Sequence, residues 1–217
     1  MKSFISIAID GGAGSGKSTT AHNISSKFNF LNVDTGSHYR SITAFLINNN
    51  ISETDATNPD NLNKITLSSN IINNKSLIQV NGSSFSHAEL RSEKINLNVS
   101  KYSSIPAIRS ILFNYQKSQC ELARQNKFSG IVMEGRDIGT IILPDADLKI
   151  FLFANENVRH QRRIEDGESD LIEKRDFLDS TRSIAPLSEA KNSVKIDTSE
   201  LSQSEVVARI SELIKLL

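Results

Sequence analysis

The residues from Gly11 to Ser18 have the types and spacing of a loop that binds the phosphates of a nucleoside triphosphate. They match the pattern G-x-x-x-x-G-K-[ST]. Glycines let such a backbone curl so that successive N–H groups point at phosphate oxygens. An apolar stretch, Phe4–Ile9, precedes the loop and a predicted helix, Lys17–Phe28, follows it, which is the context that this motif requires. We therefore predict a triphosphate site here; a flexible glycine and serine turn is the alternative.

Two residues of this loop have side chains suited to phosphoryl transfer. Lys17 is expected to reach the β- and γ-phosphates, and the hydroxyl of Ser18 to join the coordination of Mg²⁺, which prefers oxygen ligands. The positive end of the following helix adds to the attraction for phosphate. The predicted donor-binding residues of the loop are Gly11, Gly12, Ala13, Gly14, Ser15, Gly16, Lys17, Ser18 and Thr19.

A second group of polar residues follows the apolar stretch Gly130–Met133. Glu134, Arg136 and Asp137 come directly after this predicted strand, and ligands of open α/β sheets bind at that edge. An acid in this position can hold Mg²⁺ or its waters, and Glu134 and Asp137 are both candidates. Asp10 has two equal interpretations, as a residue behind the Mg²⁺ ligands or as a cap on a turn. A surface turn is the alternative for the whole segment.

Arginines are grouped at helical spacing in the charged segment 155–186. Arg159, Arg162 and Arg163 occupy positions i, i+3 and i+4, so they share one face of a helix. Guanidinium groups in a row suit a triphosphate whose charge shifts during transfer. A solvated face that includes Glu165 and Asp166 explains the pattern equally well.

A second trio lies further along the same segment. Arg175, Asp179 and Arg182 are spaced at i, i+4 and i+7 and also share a face. Such a trio suits a second nucleotide, with arginine for phosphate or a base acceptor and aspartate for a sugar hydroxyl or base amino group. The alternative is a simple i,i+4 salt bridge. Arg40 and Arg136 are predicted to complete the set around the acceptor.

The elements that must position these residues alternate between strands and helices, which predicts a parallel α/β sheet. We predict five parallel strands, namely Phe4–Ile9, Phe30–Val33, Gly130–Met133, Leu148–Phe153 and Val194–Ile196. Predicted helices cover Lys17–Phe28, Gly36–Asn48, Ile105–Gln125 and Ser202–Leu217, the last with a capping box of Ser202 and Glu205.

The middle of the chain is rich in Asn and Ser and predicts a small antiparallel insertion. Short strands are expected near Ile71–Ile72 and Leu77–Val80, with turns at Asn73–Asn74 and Asn81–Gly82. Low complexity without order is the alternative. We expect a single domain over residues 1–217, with a core of 1–58, 99–154 and 183–217, an insertion over about 59–98 and a lid over about 155–182.

Composition excludes several classes of protein. Lys plus Arg and Asp plus Glu number 25 each, so the net charge of +0 argues against non-specific binding to nucleic acid or to an anionic membrane surface. Hydrophobic runs are far shorter than the roughly 20 residues of a membrane span. A single cysteine, Cys120, permits no intrachain disulfide or Cys-based metal site, and the four histidines form no ligand pair. We expect a cytoplasmic monomer without nucleic-acid or membrane partners.

Four segments together resemble the bacterial-type cytidylate kinases. Asp34-Thr35-Gly36-Ser37-His38-Tyr39-Arg40 is similar to the family motif D-[ST]-G-x-x-Y-R, and Gly135-Arg136-Asp137-Ile138-Gly139-Thr140 to G-R-D-x-G-T. Arg175-Asp176, Asp179 and Arg182 with Ala185-Pro186-Leu187 resemble R-D…D…R-x-x-A-P-L. The phosphate loop opened by Ile9-Asp10-Gly11 also looks like the family's start. The resemblance spans nearly the whole chain.

This resemblance implies a three-layer P-loop fold with an NMP-binding insertion and a short helical lid. It also implies transfer of the γ-phosphoryl group of ATP to CMP or dCMP, with Mg²⁺ as cofactor. Two readings remain beside it: a small P-loop kinase for another acceptor such as UMP, and a nucleotide-binding module without turnover. The segment N-K-x-D, which a guanine-binding switch protein would need, is absent from the sequence.

Site residues carried over from the family divide into three sets. Cytosine would be recognised by Thr35, Ser100, Arg109, Asp137 and Arg182. The acceptor phosphate would be held by Arg40, Arg136 and Arg175, with Arg175 and Asp179 also near the ribose. ATP phosphates would be covered by Arg159, Arg162 and Arg163, and the expected catalytic residues are Lys17, Arg136, Arg159 and Arg163. Asp137 has two candidate roles, in the base pocket and, through water, at Mg²⁺. Gly12 stands where the family often has proline.

Overall fold

The computed structural model describes residues 3–165, 172–182 and 184–217, with the side chains of residues 172–175 excepted. Seven strands form one sheet in the order β3-β4-β2-β5-β1-β6-β7. In chain order the strands are β1 (Ile5–Gly11), β2 (Phe30–Asp34), β3 (Leu67–Ile72), β4 (Lys75–Val80), β5 (Gly130–Gly135), β6 (Leu148–Phe153) and β7 (Val194–Asp197).

The five predicted strands are present and pair in parallel, but the predicted strand count was wrong. Hairpin β3–β4 does not stand apart as an insertion with its own sheet. Instead, β4 pairs in parallel with β2, placing Asn32 opposite Lys75 and Val33 opposite Ser76. The backbone N–H of Asn32 donates to the carbonyl of Asn74 over 2.7 Å. The hairpin therefore covers polar groups that would otherwise remain unpaired along the outer edge of β2.

Both predicted turns of the middle segment are confirmed. Asn73 and Asn74 have φ values of 48° and 62°, and Asn81 and Gly82 have φ values of 49° and 76°. Asparagine and glycine tolerate this left-handed region, and two such residues in succession match the twist of a hairpin. The local sequence therefore determines where this segment turns.

Eight α-helices are described, and they cover both faces of the sheet. They are α1 (Lys17–Phe28), α2 (Thr35–Asn48), α3 (His87–Leu90), α4 (Glu93–Ser103), α5 (Pro106–Gln125), α6 (Glu156–Glu165), α7 (Ile172–Thr181) and α8 (Gln203–Lys215). Single turns of 3-10 helix occupy Asp55–Thr57 and Pro59–Asn61, and a π-type turn occupies Ile138–Ile142. None of the described helices is long and apolar enough to cross a membrane.

The core has two main layers because alternate residues of each buried strand point to opposite faces. On one face, Ile7 and Ile9 of β1 pack with Ile24 of α1 and Val206 and Ile210 of α8. On the other, β2 and β5 pack under α5 through apolar side chains, which include Leu31, Val33, Ile131, Met133 and Ala123. This arrangement confirms the predicted three-layer α/β fold.

Parallel pairing brings the predicted functional segments to one edge of the sheet. The carboxyl ends of β1, β2 and β5 lie side by side because β5 pairs with both of the other strands. Each of these ends is followed by a motif: the loop after β1, Thr35 after β2 and Arg136 after β5. Helix α6 follows β6, which pairs with the other side of β1. The candidate site therefore lies above this edge.

Candidate active site

The phosphate-binding loop joins β1 to α1, as predicted. Gly14 and Gly16 have φ values of 71° and 87°, in the left-handed region that favours glycine. A Cβ atom at Gly11 would lie 2.1 Å from the carbonyl oxygen of Leu152, so a side chain there would collide with β6. The Nζ atom of Lys17 donates to the carbonyl of Gly12 over 2.7 Å. The loop therefore holds its lysine folded back over its own backbone.

Ser18 contacts an acid at the end of β5. Its Oγ atom donates to Oε2 of Glu134 over 2.9 Å. Burial of the Glu134 carboxyl, together with the charge of Asp34, raises its pKa to about 7. Asp34 is the neighbour because it pairs with Glu134 in the register of β2 and β5. Of the two acids proposed from sequence for Mg²⁺, Glu134 is the one that contacts Ser18.

Asp137 lies among arginines. Arg109 contacts Oδ2 of Asp137 through its Nη2 atom, and Nη2 of Arg182 lies 3.6 Å from Oδ1. Burial raises the pKa of the Asp137 carboxyl although both arginines act in the opposite direction. The structure therefore groups Asp137 with the side chains expected to recognise a base.

Asp10 serves as a cap. Its two carboxylate oxygens accept hydrogen bonds from the backbone N–H groups of Ile138 and Gly139, over 2.8 and 2.7 Å. Burial raises the pKa of this carboxyl to about 6. Of the two interpretations left open by the sequence, the structure supports the turn cap, which fixes the backbone directly after Asp137.

A cavity of about 340 Å³ opens between the loop, the end of β2 and helices α4 and α7. Most of the predicted acceptor residues line it: Thr35, Arg40, Ser100, Arg136, Asp137, Asp179 and Arg182. Lys17, Ser18 and Glu134 lie at the same cavity. Arg109 is not among the lining residues, but it contacts Asp137, which is one of them. Arg175 belongs to α7, but its side chain lies outside the described residues.

Several of these side chains are held in place by neighbours. Nη1 of Arg40 donates to the carbonyl of Leu90 over 2.7 Å and to Oδ1 of Asn96 over 2.6 Å. Nε of Arg136 donates to Oδ2 of Asp179 over 2.9 Å. The hydroxyl of Thr35 donates to the carbonyl of Glu134 over 2.7 Å. The orientations of Arg40, Arg136 and Thr35 at the cavity are thus fixed by residues from three other parts of the chain.

The arginines of α6 lie against the phosphate-binding loop. Nη1 of Arg159 donates to the carbonyl of Ala13 over 3.1 Å. Arg162 reaches the carbonyl of Gly14 over 3.4 Å and donates to the carbonyl of Thr198 over 2.7 Å. Arg163 is buried and lines the acceptor cavity. The trio is therefore part of the site rather than a solvated helix face.

A second cavity, of about 270 Å³, also borders the loop. It shares Gly14, Gly16 and Thr19 with the first cavity. Its remaining wall contains residues of α6, of α8 and of the segment before α8, including Arg162, Thr198, Leu201 and Gln203. The phosphate-binding loop thus contributes to the walls of two cavities.

Some lining residues were missed by the sequence reasoning. Tyr39, His87 and Arg91 lie at the acceptor cavity, and Asp176 contacts the loop. Tyr39 and Asp176 lie within the motifs quoted above, so their positions carried a signal. His87 and Arg91 belong to the Asn- and Ser-rich middle segment, where no pattern marks them. Among the described residues, no group of three His, Cys, Asp or Glu side chains is arranged to hold a metal ion.

Comparison with known proteins decides the family. The sequence profile described as Cytidylate kinase matches residues 7–216. The cytidylate kinase of Clostridium botulinum strain Langeland is 39% identical, over 97% of this chain and 98% of the relative. That of Fusobacterium nucleatum is 37% identical and covers 97% of each chain. The chain belongs to the cytidylate kinase family.

Similarity to solved structures supports the fold of this cytidylate kinase family member. A deoxyadenosine kinase from M. mycoides, solved with dCMP and dCDP as products, gives a TM-score of 0.50 at 12% identity, over 98% of this chain and 100% of that chain. An uncharacterised protein from Eubacterium ventriosum gives 0.51 at 14% identity, over 97% and 98%. At such low identity these likenesses concern the fold alone. In this member of the cytidylate kinase family, the P-loop, the Ser18–Glu134 contact and both cavities lie at one edge of the sheet.

Proposed function

We propose that this protein transfers the γ-phosphoryl group of ATP to CMP or dCMP and releases ADP with CDP or dCDP. The observation that carries the proposal is the pair of cavities that meet at Gly14, Gly16 and Thr19 of the phosphate-binding loop. A phosphotransferase needs a donor and an acceptor on either side of the transferred group, in line with it. Membership of the cytidylate kinase family supports this choice of donor and acceptor.

The donor is proposed to place its phosphates on the loop and its base in the 270 Å³ cavity beside α8. Backbone N–H groups of the loop and the start of α1 attract phosphate. Lys17, Arg159 and Arg163 supply positive charge where negative charge shifts from the leaving group to the transferred group. Hydrogen bonds to Thr198 position Arg162 between the loop and the 270 Å³ cavity.

Mg²⁺ fits the oxygen atoms around Ser18. The Ser18 hydroxyl and the buried Glu134 carboxylate meet at 2.9 Å, and such hard oxygen donors suit this ion. We propose that Ser18 and Glu134 would together hold Mg²⁺ beside the phosphates of the donor. When bound, the ion neutralises phosphate oxygens. Asp137 is proposed to serve the base, since both its neighbours at the cavity are arginines.

The acceptor is proposed to lie in the 340 Å³ cavity. Arg40, Arg136 and Arg175 would hold its phosphate, and Asp179 its ribose. Cytosine presents an exocyclic amino group, which is a hydrogen-bond donor, beside acceptor atoms. A buried carboxylate such as Asp137 accepts from that amino group, and Arg182 donates to the acceptors, with Thr35, Ser100 and Arg109 around them. Uracil has a carbonyl oxygen in place of the amino group, so it would present a second acceptor to the Asp137 carboxylate and leave its own oxygen without a donor.

A direct test is an ADP-release assay with ATP, Mg²⁺ and each nucleoside monophosphate in turn. We expect turnover with CMP and dCMP to exceed that with UMP or AMP by at least about 100-fold in kcat/KM, because a buried polar group without a partner is costly. Equal or greater activity with UMP or AMP would contradict the proposed acceptor. Tight ATP binding without turnover of any monophosphate would favour a nucleotide-binding module. Monomeric state and cytoplasmic location, expected from the sequence, remain part of this proposal.

A further inference from the structure

Asp176 of α7 lies directly against the phosphate-binding loop. Its Oδ1 atom accepts a hydrogen bond from the backbone N–H of Ala13 over 3.0 Å. Its Oδ2 atom contacts Nη1 of Arg159, and the same Nη1 donates to the carbonyl of Ala13 over 3.1 Å. The side chains of Arg159 and Asp176 are only 16% and 19% exposed. Asp176, Arg159 and the backbone of Ala13 therefore each contact the other two.

Gly12 creates the space for this arrangement. A Cβ atom at Gly12 would lie 2.8 Å from Oδ2 of Asp176 and 2.9 Å from Nη1 of Arg159. Real Cβ atoms essentially never approach other heavy atoms so closely. Without a side chain, the loop lets the carboxylate approach the backbone of Ala13. Gly12 therefore gives the ends of these two flexible side chains room to lie against the loop.

The carboxylate has the chemistry of the ligand that the loop is built to bind. It is anionic, it presents two oxygen atoms, and it engages one backbone N–H of the loop and one arginine. Phosphate oxygens are bound by the same two kinds of donor. Lys17 is likewise folded onto the loop, at 2.7 Å from the carbonyl of Gly12. The N–H of Ala13 and the ammonium of Lys17 thus have partners within the protein, at positions where phosphate oxygens would also accept from them.

We propose that Asp176 is a positioning residue that holds Arg159 on the phosphate-binding loop and competes with the phosphates of the donor for it. This inference rests on the proposed function, which makes the loop the ATP site. ATP binding then requires the Asp176–Arg159 pair to separate, so the affinity for ATP is lower than the loop and its arginines alone would give. Release of Arg159 to the donor phosphates accompanies binding.

The experiment is a calorimetric titration of ATP with Mg²⁺ in the absence of any acceptor, on the wild type and on Asp176→Asn. Partly buried, charge-assisted pairs contribute more than exposed ones, so we expect Asp176→Asn to lower the Kd for ATP by about three- to tenfold. Asp176→Ala is the second variant, because asparagine can still accept from Ala13. If Asp176 only maintained the structure of the loop, both substitutions would instead weaken ATP binding.

Asp145→Asn is the matched control. It removes the same charge at an exposed residue just before β6, at the opposite end of the strand from the loop. Its Kd for ATP should stay within about twofold of the wild type, as distant exposed charges are screened. An unchanged or raised Kd in both Asp176 variants, with unaltered melting temperatures, would overturn the proposal. Acceptor identity does not enter this titration, so a failure of the cytidylate assignment appears separately, in the monophosphate assay.

Discussion

Glu134 and Asp137 are only three residues apart, but they contact different side chains. Glu134 contacts the hydroxyl of Ser18, whereas Asp137 contacts Arg109 and faces Arg182. Burial raises the pKa of both. The sequence offered both acids for the same task, and their different neighbours assign one to the loop and the other to the acceptor cavity.

Arg182 is predicted to govern affinity for the acceptor. Substitution Arg182→Ala should raise the KM for CMP by about ten- to 100-fold, because a charge-assisted hydrogen bond is worth roughly 1.5–3 kcal/mol. The KM for ATP should change by less than about twofold, since Arg182 lines only the larger of the two cavities described. Steady-state kinetics with each substrate varied measures both values. Arg209→Ala, at an exposed residue of α8, is the control, and an unchanged KM for CMP would remove Arg182 from the site.

Glu134 is predicted to govern the requirement for Mg²⁺. Substitution Glu134→Gln should raise the Mg²⁺ concentration that gives half-maximal rate by about ten- to 100-fold, because residues behind the metal ligands contribute affinity of that order. The measurement is a Mg²⁺ titration of the rate at fixed ATP and CMP. Glu121→Gln, at an exposed residue of α5, should behave as the wild type. An unaltered Mg²⁺ dependence would assign the role to another acid.

The burial of His38 is predicted to lower the free energy of unfolding at acidic pH. Both ring nitrogens are buried and have no hydrogen-bond partner among the described residues, and the ring packs edge-on against Tyr115 at 5.1 Å. Burial lowers the pKa of His38 from 6.5 to about 4. The unfolded chain therefore binds more protons between pH 6.5 and 4, so the free energy of unfolding falls as the pH falls through this range.

Substitution His38→Leu should remove that loss. We expect the difference in unfolding free energy between pH 8 and pH 5 to shrink by about 2 kcal/mol, the value that follows from the pKa change. Urea denaturation at the two pH values measures it, and His22→Leu, outside the buried set, is the control. The same pH dependence in wild type and His38→Leu would show that His38 does not ionise on unfolding.

At the scale of elements, the start of helix α8 is determined by side chains close to it in the sequence. The predicted capping box of α8 is present: the backbone N–H of Glu205 donates to Oγ of Ser202 over 3.3 Å, and Oε2 of Glu205 accepts from the N–H of Ser202 over 2.8 Å. Both contacts satisfy backbone groups that the first turn of a helix leaves unpaired. Such signals lie within four residues of one another, so the sequence shows them directly.

Helix α8 is predicted to depend on this cap. Substitution Ser202→Ala should lower the free energy of unfolding by about 1 kcal/mol, the usual contribution of an N-cap side chain. Urea denaturation measures the change. Ser188→Ala, at an exposed serine in the segment between α7 and β7, should cost less than about 0.5 kcal/mol. Equal stabilities of the two variants would show that the packing of Val206 and Ile210 alone maintains the helix.

At the scale of the whole molecule, α7 connects the two halves of the site. Asp176 contacts the phosphate-binding loop, and Asp179, one turn later, pairs with Arg136 at the acceptor cavity. We predict that an acceptor phosphate bound to Arg136 would weaken the pairing of Arg136 with Asp179 and loosen α7. The contact of Asp176 with Ala13 would then weaken, which would favour donor binding.

We therefore predict that CMP tightens the binding of a non-hydrolysable ATP analogue by about fivefold or more in the wild type, in the usual range for coupled sites. The coupling should be smaller in Asp176→Asn, where the competing carboxylate is gone. Titration of the analogue with and without saturating CMP measures the factor, and linkage requires the analogue to tighten CMP equally. Identical coupling in both proteins would show that it passes through other elements.

The sequence by itself determined the features that arise from neighbours along the chain. The phosphate-binding loop, the five parallel strands, the Asn-rich turns and the α8 cap are each produced by residues within a few positions of one another. The motifs were also sufficient to list most residues that line the acceptor cavity, and the family that they resemble is the one that the comparisons show.

Only the tertiary structure decided how distant residues combine. Residues 32 and 75 meet because the hairpin completes the edge of β2, which no local pattern shows. Glu134 rather than Asp137 meets Ser18, and Asp176 meets Ala13, across 116 and 163 residues of chain. Such contacts are fixed by the order of strands and the docking of helices, because burial and pairing are properties of the assembled sheet. The phosphate-binding loop was therefore predictable, but the contact of the Asp176 carboxylate with it was not.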